Sequence, residues 1–237
     1  MKLKIADFNW EITEKYNTLS KEGKDFIASF DAADFSLMVS DKDLILENSL
    51  SEFPCSKSYL EYIAVLRKMA EILPLNDGFV LHGACIDAEG EGVVFLAPSG
   101  TGKTTHLMSW IKYLKDKVTI VNGDKPIVRF TGDTPIAYGT PWMGKEKLGQ
   151  NTKTTLKHLC FIERATENKA VEITKEEAVD KILNQIYMPK NNPEATFKTI
   201  ELADKLLSSC KLWTIYCNLD ENAGEITYKT IIKKTDN

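Results

Sequence analysis

The chain has 237 residues, of which 43% are hydrophobic and 27% are charged, and this composition excludes a disordered protein. Lys and Arg number 30 against 34 Asp and Glu, so the formal charge is −4. This balance argues against a dedicated nucleic-acid-binding protein, because phosphate contacts require a basic surface.

The amino-terminal region is predicted to form a small, mostly β lobe. Near period-two alternation of apolar and polar residues predicts strands in residues 2–12, 34–40 and 43–49. Residues 56–73 then place apolar side chains at helical spacing, with Ser56 or Ser58 as the candidate N-cap and Pro74 as the stop. We therefore assign residues 1–74 to an amino-terminal lobe of strands plus one helix.

The remainder, residues 75–237, is predicted to form an α/β nucleotide-binding core, because strands alternate with helices along it. The predicted strands are residues 79–86, 92–97, 118–122, 156–164 and 211–219. The predicted helices are residues 103–114, 174–187 and 202–209.

Targeting and cysteine patterns predict the compartment. The amino-terminal segment carries charges throughout, and no apolar run reaches the roughly 18 residues of a membrane span. The 5 cysteines are widely spaced without a C-x-x-C pair, which is typical of reduced thiols and not of a disulfide framework or zinc site. The sequence therefore predicts a cytoplasmic protein without a membrane partner.

A phosphate loop (Walker A motif) follows the strand that ends near Ala97. Glycines in this loop let successive N–H groups point at phosphate oxygens, and the helix that opens at Lys103 directs its positive end to the same anion. Lys103 is placed to reach the β- and γ-phosphates, and the Thr104 hydroxyl to bind Mg²⁺. The alternative is a glycine-rich turn that caps an ordinary helix. The predicted nucleotide-binding residues are Pro98, Ser99, Gly100, Thr101, Gly102, Lys103, Thr104 and Thr105.

Two further residues are candidates for the chemistry near this loop. Asp124 directly follows the apolar strand 118–122, where a carboxylate can bind Mg²⁺ or take the proton of an attacking hydroxyl. The alternative is a plain Asn-Gly-Asp turn. His82 lies on or beside the strand that pairs with the loop-feeding strand, and its alternative is a packed core histidine.

The segment 138–146 combines glycines, a proline and a tryptophan with two charges. An exposed Trp142 beside Lys145 and Glu146 predicts a substrate-binding lid, and the alternative is a turn whose tryptophan is buried for packing. Arg164, at the end of a predicted strand, is a candidate for stabilising charge on the transferred phosphoryl group, or else an ordinary ion-pair partner. His106 is expected on the helix surface, with a place near a phosphate or base as the alternative.

The order of these motifs resembles the bacterial HPr kinase/phosphorylase family and its relatives with the phosphoenolpyruvate-carboxykinase-type nucleotide fold. The resemblance is carried by Leu81-His82-Gly83, by the loop from Ala97 to Thr104, and by Asn122-Gly123-Asp124. It implies an ATP-dependent kinase that phosphorylates a serine hydroxyl. It also implies nucleotide and Mg²⁺ binding by Lys103 and Thr104, and metal-binding or catalytic roles for His82 and Asp124.

The chain differs from that family in ways that bear on its substrate. Gly123 precedes Asp124 where the family has two aspartates, and the segment GTPWMGKE stands in place of the family's Arg-Gly-Leu-Gly stretch. These differences argue against HPr as the acceptor and more strongly against reverse phosphorolysis. Short relatives that modify peptide natural products or free serine look closer, since exchange of the substrate-gripping segment suits a new hydroxyl substrate.

The sequence thus predicts an ATP- and Mg²⁺-dependent kinase whose partners are a nucleotide and a hydroxyl-bearing acceptor. The acceptor is a serine in a small molecule, peptide or protein. A catalytically silent ATP-binding regulator is the second hypothesis, motivated by the missing aspartate, and a carboxykinase-like or hydrolytic enzyme is the third. The amino-terminal lobe is interpreted as a scaffold that packs on the nucleotide core, with an acceptor pocket as the alternative, and a role in self-association as a homo-oligomer is equally open.

Overall fold

The computed structural model describes residues 1–218, 220 and 222–233, which form a mixed α/β fold with two sheets. The first sheet, of three strands, lies in the amino-terminal region, and the second has nine strands. In the amino-terminal region the strands are β1 (Lys2–Ile5), β2 (Phe8–Thr13) and β3 (Phe35–Met38), and the helices are α1 (Thr18–Glu22), α2 (Asp41–Leu50) and α3 (Lys57–Ile72).

The second sheet and its covering helices make up the rest of the described chain. Its strands are β4 (Gly78–Val80), β5 (Ala84–Ala88), β6 (Glu91–Leu96), β7 (Val118–Asn122), β8 (Ile127–Thr131), β9 (Thr134–Tyr138), β10 (Lys153–Arg164), β11 (Lys169–Glu172) and β12 (Lys211–Cys217). Its helices are α4 (Lys103–Leu114), α5 (Lys175–Leu183), α6 (Pro193–Ser209) and α7 (Ala223–Ile231). None of the described helices is long and apolar enough to cross a membrane.

Residues 43–49, predicted as a strand, form part of the helix α2, so that prediction is wrong. The reason is local hydrogen bonding, because Ser40 and Asp43 form a reciprocal capping box that starts a helix. Asp43 also pairs with Arg67 of α3 at 3.1 Å, which fixes α2 on α3. The amino-terminal region consequently contains more helix than strand and is not the mostly β lobe that was predicted, whereas α3 begins after Ser56 as predicted.

The amino-terminal region packs directly on β8 and β9. One apolar cluster joins Trp10, Phe26 and Met69 to Ile127 and Tyr138, and all of these side chains are buried. At its edge, the guanidinium of Arg129 donates to the carbonyl of Ala6 at 2.6 Å, and the Tyr138 hydroxyl donates to Asp7 at 2.7 Å. The two parts of the chain therefore share a core.

Strand order in the larger sheet explains its curvature. The hydrogen-bonded path runs β4-β8-β9-β10-β6-β5-β7, with β12 on β10 and β11 on β12. Only Leu81–Gly83 connect β4 to β5, and this connection spans at most about 14 Å. Four strands lie between β4 and β5, which in a flat sheet would separate them by roughly 24 Å. The sheet therefore curls until β4 and β5 are close.

The prediction of a single strand at 79–86 is wrong. The chain leaves β4 after Val80 and enters β5, on another part of the curled sheet, at Ala84. The strand 118–122 and the helix 103–114 are confirmed as β7 and α4. The prediction did not include β8, β9, β11 or α7.

Strands β6, β7, β10 and β12 all run in one direction, so their carboxyl ends meet at one edge. Ligands bind at that edge in open α/β sheets.

Candidate active site

The predicted phosphate loop lies between the end of β6 and the start of α4. Gly100 and Gly102 have φ of 76° and 119°, backbone conformations that L side chains rarely adopt. Gly102 is the N-cap residue of α4, and no side chain caps the helix there. The first N–H groups of α4 are thus available to an anion, which is the property that a phosphate site requires.

Lys103 turns back over this loop. Its ammonium donates to the Ala97 carbonyl at 2.6 Å and lies 3.3 Å from Nε2 of His82. Burial lowers the pKa of Lys103, and the positive charge of Lys125 lowers it further. The Asp124 carboxylate raises the pKa and so counters part of this effect. A buried cation therefore faces the space where the phosphates would lie.

His82, Asp124 and Lys125 continue from Lys103 in a chain of contacts. His82 Nε2 is 3.4 Å from Asp124 Oδ1, and the Lys125 ammonium donates to the same oxygen at 3.0 Å. Since one ring nitrogen either accepts or donates, Nε2 accepts from Lys103 or donates to Asp124, but not both at once. The side chain of His82 is 31% exposed, so it is not the packed core histidine of the alternative interpretation.

Asp124 is kept ionised by its neighbours. Burial raises the pKa of this carboxyl, but the hydrogen bond from His82 and the charge of Lys125 outweigh burial and hold the pKa below its ordinary value. The carboxylate can therefore bind a cation or accept a proton at neutral pH.

A fully buried asparagine positions Asp124. The side-chain oxygen of Asn122 accepts from the backbone N–H groups of Asp124 and Lys125 at 2.9 and 2.7 Å. Its amide nitrogen donates to the carbonyl and hydroxyl oxygens of Thr140, both at 3.0 Å. All hydrogen-bonding positions of Asn122 are used, so the turn that carries Asp124 is rigid.

The backbone on both sides fixes His82. Its N–H donates to Gln185 at 2.7 Å, while the neighbouring Leu81 and Gly83 donate to Pro126 and Asp124. With its amide nitrogen as donor, the buried Gln185 side chain reaches Ala97 O at 3.0 Å and His82 O at 3.2 Å. Gln185 therefore ties the start of the phosphate loop to the histidine.

These residues form one side of a cleft of about 800 Å³. The opposite wall consists of Tyr59, Tyr62, Ile63 and Leu66 from α3, followed by Trp142, Gly144, Lys145 and Glu146. The structure thus places the phosphate loop, His82 and Asp124 in the same cleft as the segment predicted to bind substrate.

Trp142 is 3% exposed, so the predicted exposed lid tryptophan is wrong and the packing alternative describes it. Its ring stacks on Tyr62 with centroids 5.4 Å apart, and its indole N–H donates to the Tyr62 carbonyl at 2.9 Å. The Tyr62 hydroxyl in turn donates to Pro141 at 2.7 Å. Trp142 is a fixed wall of the cleft, whereas Lys145 and Glu146 are exposed at its mouth.

Arg164 lies on the other side of the phosphate loop. Its guanidinium donates to the carbonyls of Gly100 and Thr101. It lines a second cleft of about 760 Å³, which shares Gly100, Gly102 and Thr105 with the first. The walls of the second cleft include Met108, Lys112, Cys217, Asn218 and Asp220. In this position Arg164 holds the loop from outside the first cleft.

His106 also lines the second cleft, and its expected place on the helix surface is wrong. The side chain is buried, and its Nε2 accepts from Trp110 at 3.2 Å and contacts Thr227 at 3.1 Å. Within the described residues, its Nδ1 has no hydrogen-bond partner. Burial lowers the pKa of His106 to about 4, so the ring is neutral at pH 7.

The sequence analysis did not name Lys125 or Gln185, and it gave no individual role to Asn122 or to Thr140 of the segment 138–146. Lys125 and Asn122 flank Gly123-Asp124, so their closeness in the sequence to the predicted Asp124 was a usable signal that they belong to the site. No signal pointed to the hydrogen-bonding roles of Gln185 and Thr140, because long-range folding brings them to the site from 61 and 16 positions beyond Asp124.

The donor set around Asp124 suits a magnesium ion in chemical type. The Thr104 hydroxyl and the Asp124 carboxylate line the same cleft and are oxygen ligands, which Mg²⁺ prefers. No group of three or more His, Cys, Asp or Glu that could hold a metal occurs in the described part of the chain. Any Mg²⁺ would therefore share its coordination with phosphates and water, as is usual for this ion.

Comparisons with known proteins give structural matches that include a distant one to a kinase/phosphatase. No protein-family model matches the chain, and no curated protein matches it significantly. The solved structure of the Hpr(Ser) kinase/phosphatase from Coxiella burnetii is matched with a TM-score of 0.39 and 8% identity. The match covers 66% of this chain and 95% of that chain. A likeness at this level gives no support to a shared activity, and the function proposed below depends on the site's own residues.

Proposed function

We propose that this chain is an ATP- and Mg²⁺-dependent kinase that transfers the γ-phosphoryl group to a hydroxyl, a serine in a small molecule, peptide or protein. The observation that carries the proposal is the convergence of three side chains at the mouth of the phosphate loop. His82 Nε2 lies 3.3 Å from Lys103 Nζ and 3.4 Å from Asp124 Oδ1. The cleft that they line has an opposite wall on which an acceptor can lie.

Each residue has a defined task in this reaction. The loop N–H groups and Lys103 bind the phosphates, and the nucleoside lies in the second cleft beside the loop. Asp124 takes the proton of the acceptor hydroxyl as the new O–P bond forms and the bond to the β-phosphate oxygen breaks, releasing ADP. His82 orients Asp124 through Nε2. Thr104 and Asp124 would hold Mg²⁺, which supplies positive charge to the phosphate oxygens when bound.

Mass spectrometry of ATP turnover tests this proposal. With Mg²⁺, the chain is offered free serine, a serine-containing peptide library and HPr. We expect one acceptor to gain one phosphoryl group, and Asp124→Ala and Lys103→Ala to reduce transfer by roughly 10²-fold or more. Asp133→Ala is the matched control. Asp133 lies in the turn between β8 and β9, pairs with Lys205 of α6 at 3.0 Å and lines neither cleft. Full activity in Lys103→Ala would refute the mechanism.

A catalytically silent ATP-binding regulator is the second candidate. It is favoured by the fact that, among the described residues of the cleft, only Asp124 and the exposed Glu146 have carboxylates. This candidate predicts that ATP binds and is recovered unchanged with every acceptor. The same mass-spectrometric experiment therefore separates the two functions.

A further inference from the structure

The floor of the first cleft carries more positive than negative charge. Lys103 and Lys125 lie on either side of Asp124, the one carboxylate that the structure places between them. Lys145 and Glu146 are also in the cleft, at its mouth, and their charges cancel. Two half-buried or buried ammonium groups thus share a single counter-ion, an arrangement that an anionic ligand would neutralise.

Lys125 is held in the cleft by more than its own side chain. Its N–H donates to the buried Asn122 at 2.7 Å, and its carbonyl accepts from the Thr140 hydroxyl at 2.7 Å. Its side chain is 28% exposed and lines the cleft next to Asp124. The backbone of Lys125 is therefore as rigid as that of Asp124, and its ammonium is directed to a defined position.

The order of contacts indicates which phosphate Lys125 would meet. From the loop outward, Ala97 O, Lys103 Nζ, His82 Nε2, Asp124 Oδ1 and Lys125 Nζ follow at 2.6, 3.3, 3.4 and 3.0 Å. Lys125 is thus the cation farthest from the loop along this series of contacts, and it lines the same cleft as the α3 wall. The loop N–H groups suit the inner phosphates, so the outermost phosphate is the one nearest Lys125.

We propose that Lys125 is a second phosphate-binding lysine, which contacts the terminal phosphate of a nucleoside triphosphate and makes the cleft discriminate triphosphate from diphosphate. The inference rests on the proposed function in taking the ligand to be such a nucleotide. It adds a residue that a bare phosphate loop does not require. The Lys125 ammonium pairs with Asp124 at 3.0 Å.

Calorimetric titration with ATP and with ADP tests the inference without relying on turnover. Wild type, Lys125→Met and Lys125→Arg are titrated in EDTA and again with Mg²⁺. We expect Lys125→Met to weaken ATP binding by about 10- to 100-fold and ADP binding by less than about twofold, as for loss of one charge-assisted hydrogen bond. Lys125→Arg should restore most of the ATP affinity.

The matched control is Lys205→Met, because Lys205 pairs with Asp133 at 3.0 Å, has 36% side-chain exposure and lines neither cleft. Its affinities for ATP and ADP should equal those of wild type. Should Lys125→Met fail to fold, Lys125→Gln, which is one bond shorter and keeps a polar end without the charge, provides the same comparison.

The outcomes separate this inference from the proposed function. Equal loss of ATP and ADP affinity, or no loss of either, would overturn the role of Lys125 and leave a kinase in place. An effect seen with Mg²⁺ but not in EDTA would likewise overturn it, because Lys125 would then act through the metal-binding carboxylate. Failure of the wild type to bind either nucleotide would overturn both proposals.

Discussion

Asn122 shows how one side chain without any chemistry of its own positions a reactive one. Its four hydrogen bonds join the Asp124 turn to Thr140, and the residue is fully buried. Removing the amide leaves two backbone N–H groups and the Thr140 carbonyl without these partners. The geometry of Asp124 therefore depends on a residue that no ligand needs to touch.

We expect Asn122→Ala to lower the free energy of unfolding by about 3 kcal/mol, because several buried hydrogen bonds are lost together. Nucleotide-dependent activity should fall as well, since Asp124 loses its fixed position. Urea unfolding and ATP turnover measure the two effects. The control is Asn76→Ala, which removes a single hydrogen bond to Ile72 and should cost about 1 kcal/mol. An equal cost for both variants would contradict the role assigned to Asn122.

His106 makes stability depend on pH. Its pKa is lowered by burial to about 4, whereas an unfolded histidine titrates near 6.5. The unfolded state therefore binds more protons as pH falls, and the folded state loses stability between about pH 6.5 and pH 4. At about 1.4 kcal/mol for each pKa unit, this loss is on the order of 3 kcal/mol.

In His106→Gln the amide oxygen can still accept from Trp110, but no proton is taken up. We expect the variant to lose less stability than wild type when the pH is lowered from 7 to 4.5. Urea unfolding at both pH values measures the difference, and His158, also buried, contributes equally to both proteins. An identical loss in the two proteins would show that His106 does not titrate in this way.

At the scale of elements, α2 is fixed by Asp43. Burial opposes ionisation of this carboxyl, but hydrogen bonds from Ser40, Lys68 and Arg67 prevail and hold its pKa well below the ordinary range. A carboxylate with a lowered folded pKa stabilises the protein above the unfolded pKa of about 3.9. That contribution is lost as pH falls below about 4.

We expect Asp43→Asn to destabilise the protein by about 1–3 kcal/mol at pH 7, through loss of charge-assisted hydrogen bonds. The difference from wild type should shrink as the pH is lowered from 4 to 2.5. Thermal unfolding followed by circular dichroism checks both statements. A difference that stays constant over this range would mean that the charge of Asp43 contributes nothing.

The same element shows where sequence reasoning works and where it fails. The helices at 57–72 and 103–114 follow from apolar spacing with a cap or a glycine turn, all of them local signals. Residues 43–49 alternate like a strand, yet the capping box that starts α2 begins three positions earlier. Strands β8 and β9 flank Gly132-Asp133, a two-residue turn signal that the sequence analysis did not use, and they also pair with β4 and β10.

The candidate site divides in the same way. Lys103, Asp124 and His82 were predicted from motifs because each lies within a short, recognisable segment. Thr140 and Gln185 were not, since their contribution is a hydrogen bond across the fold. Burial of Trp142 depends on its stacking with Tyr62, a contact over 80 positions that no local pattern contains.

At the scale of the molecule, the shared apolar cluster predicts that residues 1–74 and 75–237 unfold together. Ile127, Tyr138 and Trp142 are buried against the amino-terminal region, so removing that region would expose them. We expect one transition in urea, with coincident midpoints when the same protein is followed by tryptophan fluorescence and by far-UV circular dichroism. Two separated midpoints would show that the amino-terminal lobe is an independent unit.

The two sides of the first cleft differ in how strongly they depend on side chains, and the short connection between β4 and β5 is part of the side that depends on the main chain. Main-chain hydrogen bonds fix the position of residue 82, because Leu81 and Gly83 donate to the carbonyls of Pro126 and Asp124, and His82 donates to that of Gln185. The facing wall, by contrast, is built from side chains of α3 and of residues 142–146. Substitutions on that wall do not alter these main-chain hydrogen bonds, so the wall can vary while the cleft floor that holds the histidine is kept.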